Sequence, residues 1–249
     1  PAQLMALRSF VARDRNEYET SIALAKRAIS LIHEEAPSPA NAQSRGMLLM
    51  TLASAYDGAG ALEKAATAYA ETIQWSRWGT NAAGVTGATY CLVGVLRLLG
   101  RLRAADEACG AALEYIQEQG MDRLPVAGIL HVAISEVLIE QNELTTAAGH
   151  LSQGIDWGKG SGRLDAVKNA AYALSRIRQA QHDMDGALAA IQEAETALGE
   201  QPYSLAKAEL LAFKARILVQ QGHLDQAIQC SEEAVQLVGK NQGQSGQIV

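Results

Sequence analysis

The chain has 249 residues, of which 48% are hydrophobic, 5% aromatic and 19% charged, and its net charge is −6. With that apolar content and no Lys/Arg cluster, it reads as a packed all-α chain and not as a surface that grips a phosphate backbone. No run approaches the eighteen or more apolar residues of a membrane span, and the start PAQLMALRSF lacks the basic-then-apolar order of a signal peptide, so a soluble, cytoplasmic protein is expected.

The first residue is Pro1, not Met, which points to a processed chain or a piece of a longer one. Cys91, Cys109 and Cys230 have neither an even count nor a CxxC spacing, so no disulfide framework and no zinc site is expected.

Taken in order, the chain repeats. The stretch from Leu130 to Trp157 carries apolar residues three and four apart on both sides of Gln141-Asn142-Glu143, the pattern of two amphipathic helices joined by a tight turn. It recurs at intervals of about forty residues. Leu62, Leu102, Leu144, Met184 and Leu224 mark the starts of the second helices, and a weaker copy begins at Tyr18. Three residues after each landmark stands Ala65, Ala105, Ala147, Ala187 or Ala227, with Ser21 in the weak copy. Nine before stands Ala53, Val93, Ser135, Ser175 or Ala215. Small residues on facing helices let the two backbones approach closely. The turns fall at Gly60, Gly100, Asn142, His182 and Gly222, mostly residue types that tolerate a left-handed conformation.

Six hairpins follow. Their first helices are expected over 2–13, 41–58, 83–99, 124–140, 164–180 and 203–220, and their second over 16–34, 61–77, 101–119, 143–158, 183–198 and 223–239. Pro37, Pro39, Pro125 and Pro202 all lie between hairpins or in a first helical turn, where the missing N–H does no harm. Residues 1–240 are read as one helical-repeat domain and 241–249 as a flexible tail or linker.

Tyr56, Gly60, Leu62, Ala65 and Tyr69 follow the tetratricopeptide (TPR) pattern, with a period longer than the usual one. The expected fold is therefore all-α, a right-handed superhelix of about six TPR-like hairpins with the first helices on the inner wall. The segments SEVLIEQNELTTAAGHLSQGIDWG, HDMDGALAAIQEAE, AYDGAGALEKAATAYAETIQWSRWG and LRLLGRLRAADEACGAALEYIQEQG resemble the helical-repeat region of MalT-like, LuxR-family bacterial regulators. The resemblance covers about residues 2–240. It implies a sensor that binds an inducer or a partner protein and lies between a nucleotide-binding switch module and a C-terminal helix-turn-helix domain, to which any DNA binding would belong.

With TPR geometry, positions twelve, eight and five before each landmark face the groove. They bring polar and aromatic residues to the middle hairpins: Tyr90, Arg97, Glu136, Tyr172, Arg176 and Arg216, with His131 and Asn169 beside them. Tyr90 and Tyr172 could stack on a sugar or peptide while Glu136 and Arg176 fix its polar groups. The alternative is structural, with Glu136 and Arg176 pairing between neighbouring repeats and the tyrosines filling space. Arg176 and Arg216 with Asn169 also suit a peptide clamp, so small inducer and protein partner both stay open.

Trp75, Tyr115 and Trp157 share one column and are expected to pack between hairpins, while Trp78 lies outside it and is expected on the surface. Gly158-Lys159-Gly160-Ser161-Gly162 has the wrong order for a phosphate loop and reads as an inter-hairpin connection. The histidines His33, His131, His150, His182 and His223 show no metal-ligand spacing. No nucleophile stands beside a base, and Glu34-Glu35 and Glu232-Glu233 read as solvated pairs. Neither catalysis nor a cofactor is expected.

Overall fold

The computed structural model describes residues 2–33, 38–121, 125–158, 164–199 and 205–244. They form twelve α-helices with no strand among them, paired as α1 (Ala2–Asp14) with α2 (Tyr18–His33), α3 (Pro39–Gly58) with α4 (Leu62–Trp78), α5 (Ala82–Leu98) with α6 (Leu102–Glu118), α7 (Pro125–Glu140) with α8 (Leu144–Gly158), α9 (Leu164–Ala180) with α10 (Met184–Leu198), and α11 (Leu205–Gln220) with α12 (Leu224–Gln244). All six expected hairpins are present, with every landmark at the first position of its helix.

Two helices extend by more than one residue beyond the ranges read from the periodicity, while α2 begins two residues later than expected, at Tyr18. Helix α3 begins at Pro39, two residues early, because the Ser38 hydroxyl accepts from the Asn41 N–H at 3.2 Å and Pro39 supplies a preset first turn. Helix α12 continues to Gln244, past Lys240. Pro37, Pro202, the acidic pair Glu34-Glu35, residues 159–163 of the glycine-rich stretch and residues 245–249 of the tail lie outside the described residues.

The chain divides into two compact units, Pro1–Ala133 and Ile134–Val249. In the first, α1 packs on α2, α2 on α3, and so on through α6; the second has the same nearest-neighbour pattern from α8 to α12, and α1·α3, α3·α5 and α9·α11 also touch. Within each unit, helices thus meet their neighbours in sequence, and first helices also meet one another, which is how stacked hairpins build a core.

The turn inside each hairpin is one motif repeated six times. Asn16, Gly60, Gly100, Asn142, His182 and Gly222 all have positive φ, between 60° and 82°. At each, two hydrogen bonds close back onto the preceding helix, as in Gly60 N–H to the Asp57 carbonyl at 2.9 Å and Ala61 N–H to the Tyr56 carbonyl at 2.8 Å. This is the Schellman arrangement, which satisfies the last carbonyls and reverses the chain.

Behind the turn, the alanine column closes the hairpin. Ala65, Ala105, Ala147 and Ala187 have no exposed surface and Ala227 is nearly buried, with Ala53, Val93, Ser135, Ser175 and Ala215 buried in the facing column. In the first hairpin both columns hold serine: Ser9 and Ser21 are fully buried, and each hydroxyl donates to the carbonyl of the other. A serine is small enough for the interface and here satisfies its hydroxyl against the partner helix.

Two members of the expected aromatic column, Trp75 and Tyr115, pack between helices. Trp75 lies against the cluster of Ala25, Leu49 and Leu52, with the Arg45 guanidinium 4.5 Å from its ring centroid. Tyr115 is buried, with Arg77 5.1 Å from its centroid while the Arg77 Nη2 donates to the Ala111 carbonyl at 2.5 Å. Trp78, outside the column, is 48% exposed. None of the three cysteines is in a disulfide. No helix among the described residues is long and apolar enough to cross a membrane.

Candidate ligand and partner surface

In the second unit α9 meets α11. The Tyr172 ring stacks on Phe213, with centroids 4.0 Å apart and planes inclined by 21°. One turn along α9, the Arg176 guanidinium lies 5.7 Å from the Tyr172 centroid, and its Nη2 donates to Glu140 Oε1 at 3.0 Å. Arg176 Nη1 is buried and has no hydrogen-bond partner among the described residues. A desolvated guanidinium nitrogen without an acceptor costs on the order of 1–3 kcal/mol, and an incoming carboxylate or carbonyl oxygen would remove that cost. Glu140 and the Tyr172–Phe213 stack hold the guanidinium in place, so little side-chain freedom is left for a ligand to freeze.

The remaining candidates are distributed differently. Arg216 is exposed on α11 and Asn169 half-buried on α9. Glu136 is 5% exposed and has interactions of its own within the fold, so it sits beneath the surface that Arg176 and Glu140 present. In the first unit, Tyr90 and Arg97 are half-buried on α5 and His131 is buried on α7, all three with polar or ring partners already. The structure brings Tyr172 and Arg176 together and adds two residues absent from the expected set, Phe213 and Glu140. Glu140 was within reach of sequence reasoning, since it follows Glu136 by one turn on the same helix.

The inner columns of the first unit hold a separate polar cluster. Tyr69 on α4 is 1% exposed, and its hydroxyl donates to Ser54 Oγ on α3 at 3.3 Å and bonds to the Asp57 carboxyl. Burial pushes the Tyr69 phenol far up, assisted by the nearby Cys91 and Asp57, and burial raises Asp57 against the opposing Tyr69 hydrogen bond. These groups satisfy one another, so the cluster is a structural knot between α3 and α4.

A third feature was not foreseen. Helices α10, α11 and α12 enclose an open cleft of about 640 Å³ lined by Glu195, Lys207, Leu211, Lys214, Cys230 and Glu233 among others. Lys214 pairs with Glu195 at 2.9 Å and Lys207 with Glu233 at 3.7 Å, so its charges are mutually compensated. Burial pushes the Cys230 thiol up, with Glu195 and Glu233 adding to the effect against Lys214, which disfavours the thiolate. Among the described residues no group of three or more His, Cys, Asp or Glu side chains could hold a metal ion.

Hairpins of this build, stacked in series and offering a surface on their first helices, define a TPR-like superhelical repeat protein. The chain belongs to the MalT-like TPR region family, whose model matches residues 2–245. Solved structures share the fold. The apo form of RapI is 16% identical, with a TM-score of 0.71 over 96% of this chain and 84% of that one. BtubC from P. vanneervenii is 18% identical, with a TM-score of 0.61 over 90% and 91%. A Rap protein complexed with Competence and Sporulation Factor is 9% identical, with a TM-score of 0.66 over 97% and 78%. A comparison of the sequence with curated proteins found no match.

Proposed function

We propose that this chain is the sensor region of a MalT-like, LuxR-family transcriptional regulator, a non-catalytic helical-repeat module that binds a small inducer through the first-helix surface of its second unit. The observation that carries the reading is Arg176, held by Glu140 and Tyr172 with Nη1 buried and unmatched. Such a group selects a ligand with an acceptor oxygen, and the adjacent aromatic pair suits a sugar ring or other flat apolar face. Binding would bias a larger, nucleotide-dependent regulator toward its active state in proportion to the ligand's preference for one arrangement of the repeats. DNA contact would fall to a helix-turn-helix domain, since this chain carries a net charge of −6.

A second reading is a scaffold in which the same surface holds a peptide or protein partner. It is favoured by membership of a TPR-type family and by the fold shared with a Rap protein complexed with Competence and Sporulation Factor. Thermal-shift screening against sugars, nucleotides and peptides separates the two. Stabilisation by a sugar or nucleotide that is lost in Tyr172→Ala and Arg176→Met supports the inducer reading. Peptide binding alone, lost in the same variants, supports the scaffold. A ligand whose binding survives both substitutions removes this surface from either reading.

A further inference from the structure

Two arginines occupy the same place on neighbouring first helices of the second unit, and only one of them has a counter-charge. Arg176 on α9 and Arg216 on α11 each stand eight residues before their landmarks, Met184 and Leu224. Arg176 reaches back to α7, to Glu140, which stands four residues before the landmark of its own hairpin, at 3.0 Å. One hairpin on, the position that would serve Arg216 in the same way holds Ala180, which carries no charge. Arg216 is exposed and takes part in no ion pair or hydrogen bond among the described residues.

The two helices are tied together just before these arginines. Tyr172 stacks on Phe213 with centroids 4.0 Å apart, and Lys168 pairs with Glu209 one turn earlier. Arg176 follows Tyr172 by four residues and Arg216 follows Phe213 by three, so both guanidinium groups start about one turn beyond the stacked rings. Neighbouring helices lie about 8–10 Å apart, a span that two arginine side chains extended toward a common point can close. The other charges nearby are matched, Lys168 by Glu209, Glu140 by Arg176 and Lys214 by Glu195, and Glu136 is buried with interactions of its own. What remains open is Arg176 Nη1, without a partner among the described residues, and the whole Arg216 guanidinium.

We propose that the ligand of this surface is a small carboxylic acid whose carboxylate bridges the two arginines, one oxygen on Arg176 Nη1 and the other on the Arg216 guanidinium. The inference rests on the ligand reading above and names its chemical class. A neutral hydroxyl satisfies Nη1 but leaves Arg216 without a counter-charge. A carboxylate meets both groups, and charge-assisted hydrogen bonds are roughly twice as strong as neutral ones. A phosphate monoester fits less well, because its second negative charge lies close to Glu140, which is bonded to the same guanidinium. The remainder of the acid lies against the Tyr172–Phe213 pair, which suits a ring.

Calorimetric titration of the 249-residue chain with matched pairs is the test. The pairs are glucuronate with its methyl ester and N-acetylphenylalanine with its amide, which differ within each pair chiefly in the negative charge. At least one acid is expected to bind about ten-fold or more tightly than its neutral partner, and to weaken as sodium chloride is added. Glucuronate as the better acid assigns a sugar acid; N-acetylphenylalanine as the better one assigns a free amino-acid or peptide end. Arg216→Gln, at an exposed position, is expected to abolish the preference for the acid with an unchanged thermal melt, and Arg216→Lys to restore part of it. A neutral ester or amide that binds as tightly as its acid, and stops binding in Arg176→Met, overturns the carboxylate and leaves the ligand reading standing. Acid binding that survives Arg216→Gln unchanged overturns it too. So does the failure of both acids to bind, in which case the thermal-shift screen decides the ligand reading separately.

Discussion

The Ser9 hydroxyl on α1 donates to the Ser21 carbonyl on α2, and the Ser21 hydroxyl donates to the Ser9 carbonyl, both at 2.9 Å. Two backbones must run unusually close for short side chains to reach across in both directions. The same column holds Ala53 with Ala65 in the second hairpin and Ala215 with Ala227 in the sixth.

That equivalence sets the expected energetics. Ser21→Ala is expected to cost about 1 kcal/mol and Ser9→Ala about as much again, because each hydroxyl donates to a backbone carbonyl that the other substitution leaves in place. Ser21→Leu is expected to cost about 3 kcal/mol or more by forcing the helices apart. Chemical denaturation of the variants checks the order, and a double variant that costs no more than a single one would show that the two bonds do not act separately.

Thr80, between α4 and α5, adopts φ 51°, a left-handed conformation that disfavours a β-branched side chain. The equivalent position after α6 is Gly120, with φ 66°. Thr80→Gly is therefore expected to stabilise the chain by about 1 kcal/mol, the relief of strain exceeding the added freedom of the unfolded glycine. A melting temperature that falls would refute this.

Arg101 and Glu63 form a two-pronged ion pair between successive hairpins, at 2.7 and 2.8 Å. Both side chains are at least half exposed, so solvent screens the attraction. Arg101→Ala is expected to cost about 0.5 kcal/mol at low ionic strength and nothing measurable at about 1 M salt. Urea melts at two salt concentrations separate this from a packing loss, which salt would not erase.

Two groups are expected to bend the acid limb of stability in opposite directions. His150 is lowered by burial, so the unfolded chain takes up its proton first and the fold loses stability as pH falls below the ordinary histidine value of 6.5. Asp57 is raised by burial despite its Tyr69 hydrogen bond, so its contribution is fully present below the unfolded value of 3.8 and is lost as pH rises through the folded value. His150→Gln should flatten the loss below neutrality. Asp57→Asn should stabilise the chain at neutral pH and remove the relief on acidification. Unchanged profiles in denaturant titrations across pH would contradict both assignments.

Arg176→Met provides the contrast needed for the ligand reading. It removes the bond to Glu140 but also the unmatched Nη1, and Glu140 is 37% exposed with a further interaction of its own, so the unliganded chain should lose less than about 1 kcal/mol. A much larger loss in the melt would make Arg176 a structural staple.

The period of about forty residues, the alanine column and the turn residues were legible in the sequence, and they determined six hairpins, their boundaries and their left-handed turns. These features are local. A small side chain, a glycine or an asparagine acts on its own helix and its immediate partner, and repetition makes the signal readable six times over.

The candidate site was only half legible. Tyr172 and Arg176 lay in the inner columns with Glu136, which is buried with interactions of its own, while the bond from Arg176 to Glu140, one turn further on, was not read from them. Phe213 stood in a column filled elsewhere by Ala133 and Ala173, which reads as core. Which carboxylate meets the guanidinium, and which ring meets Tyr172, depends on the axial offset and rotation between neighbouring first helices. Those two quantities arise from packing across the hairpins and have no counterpart in the periodicity of any single helix, so only the tertiary structure decided them.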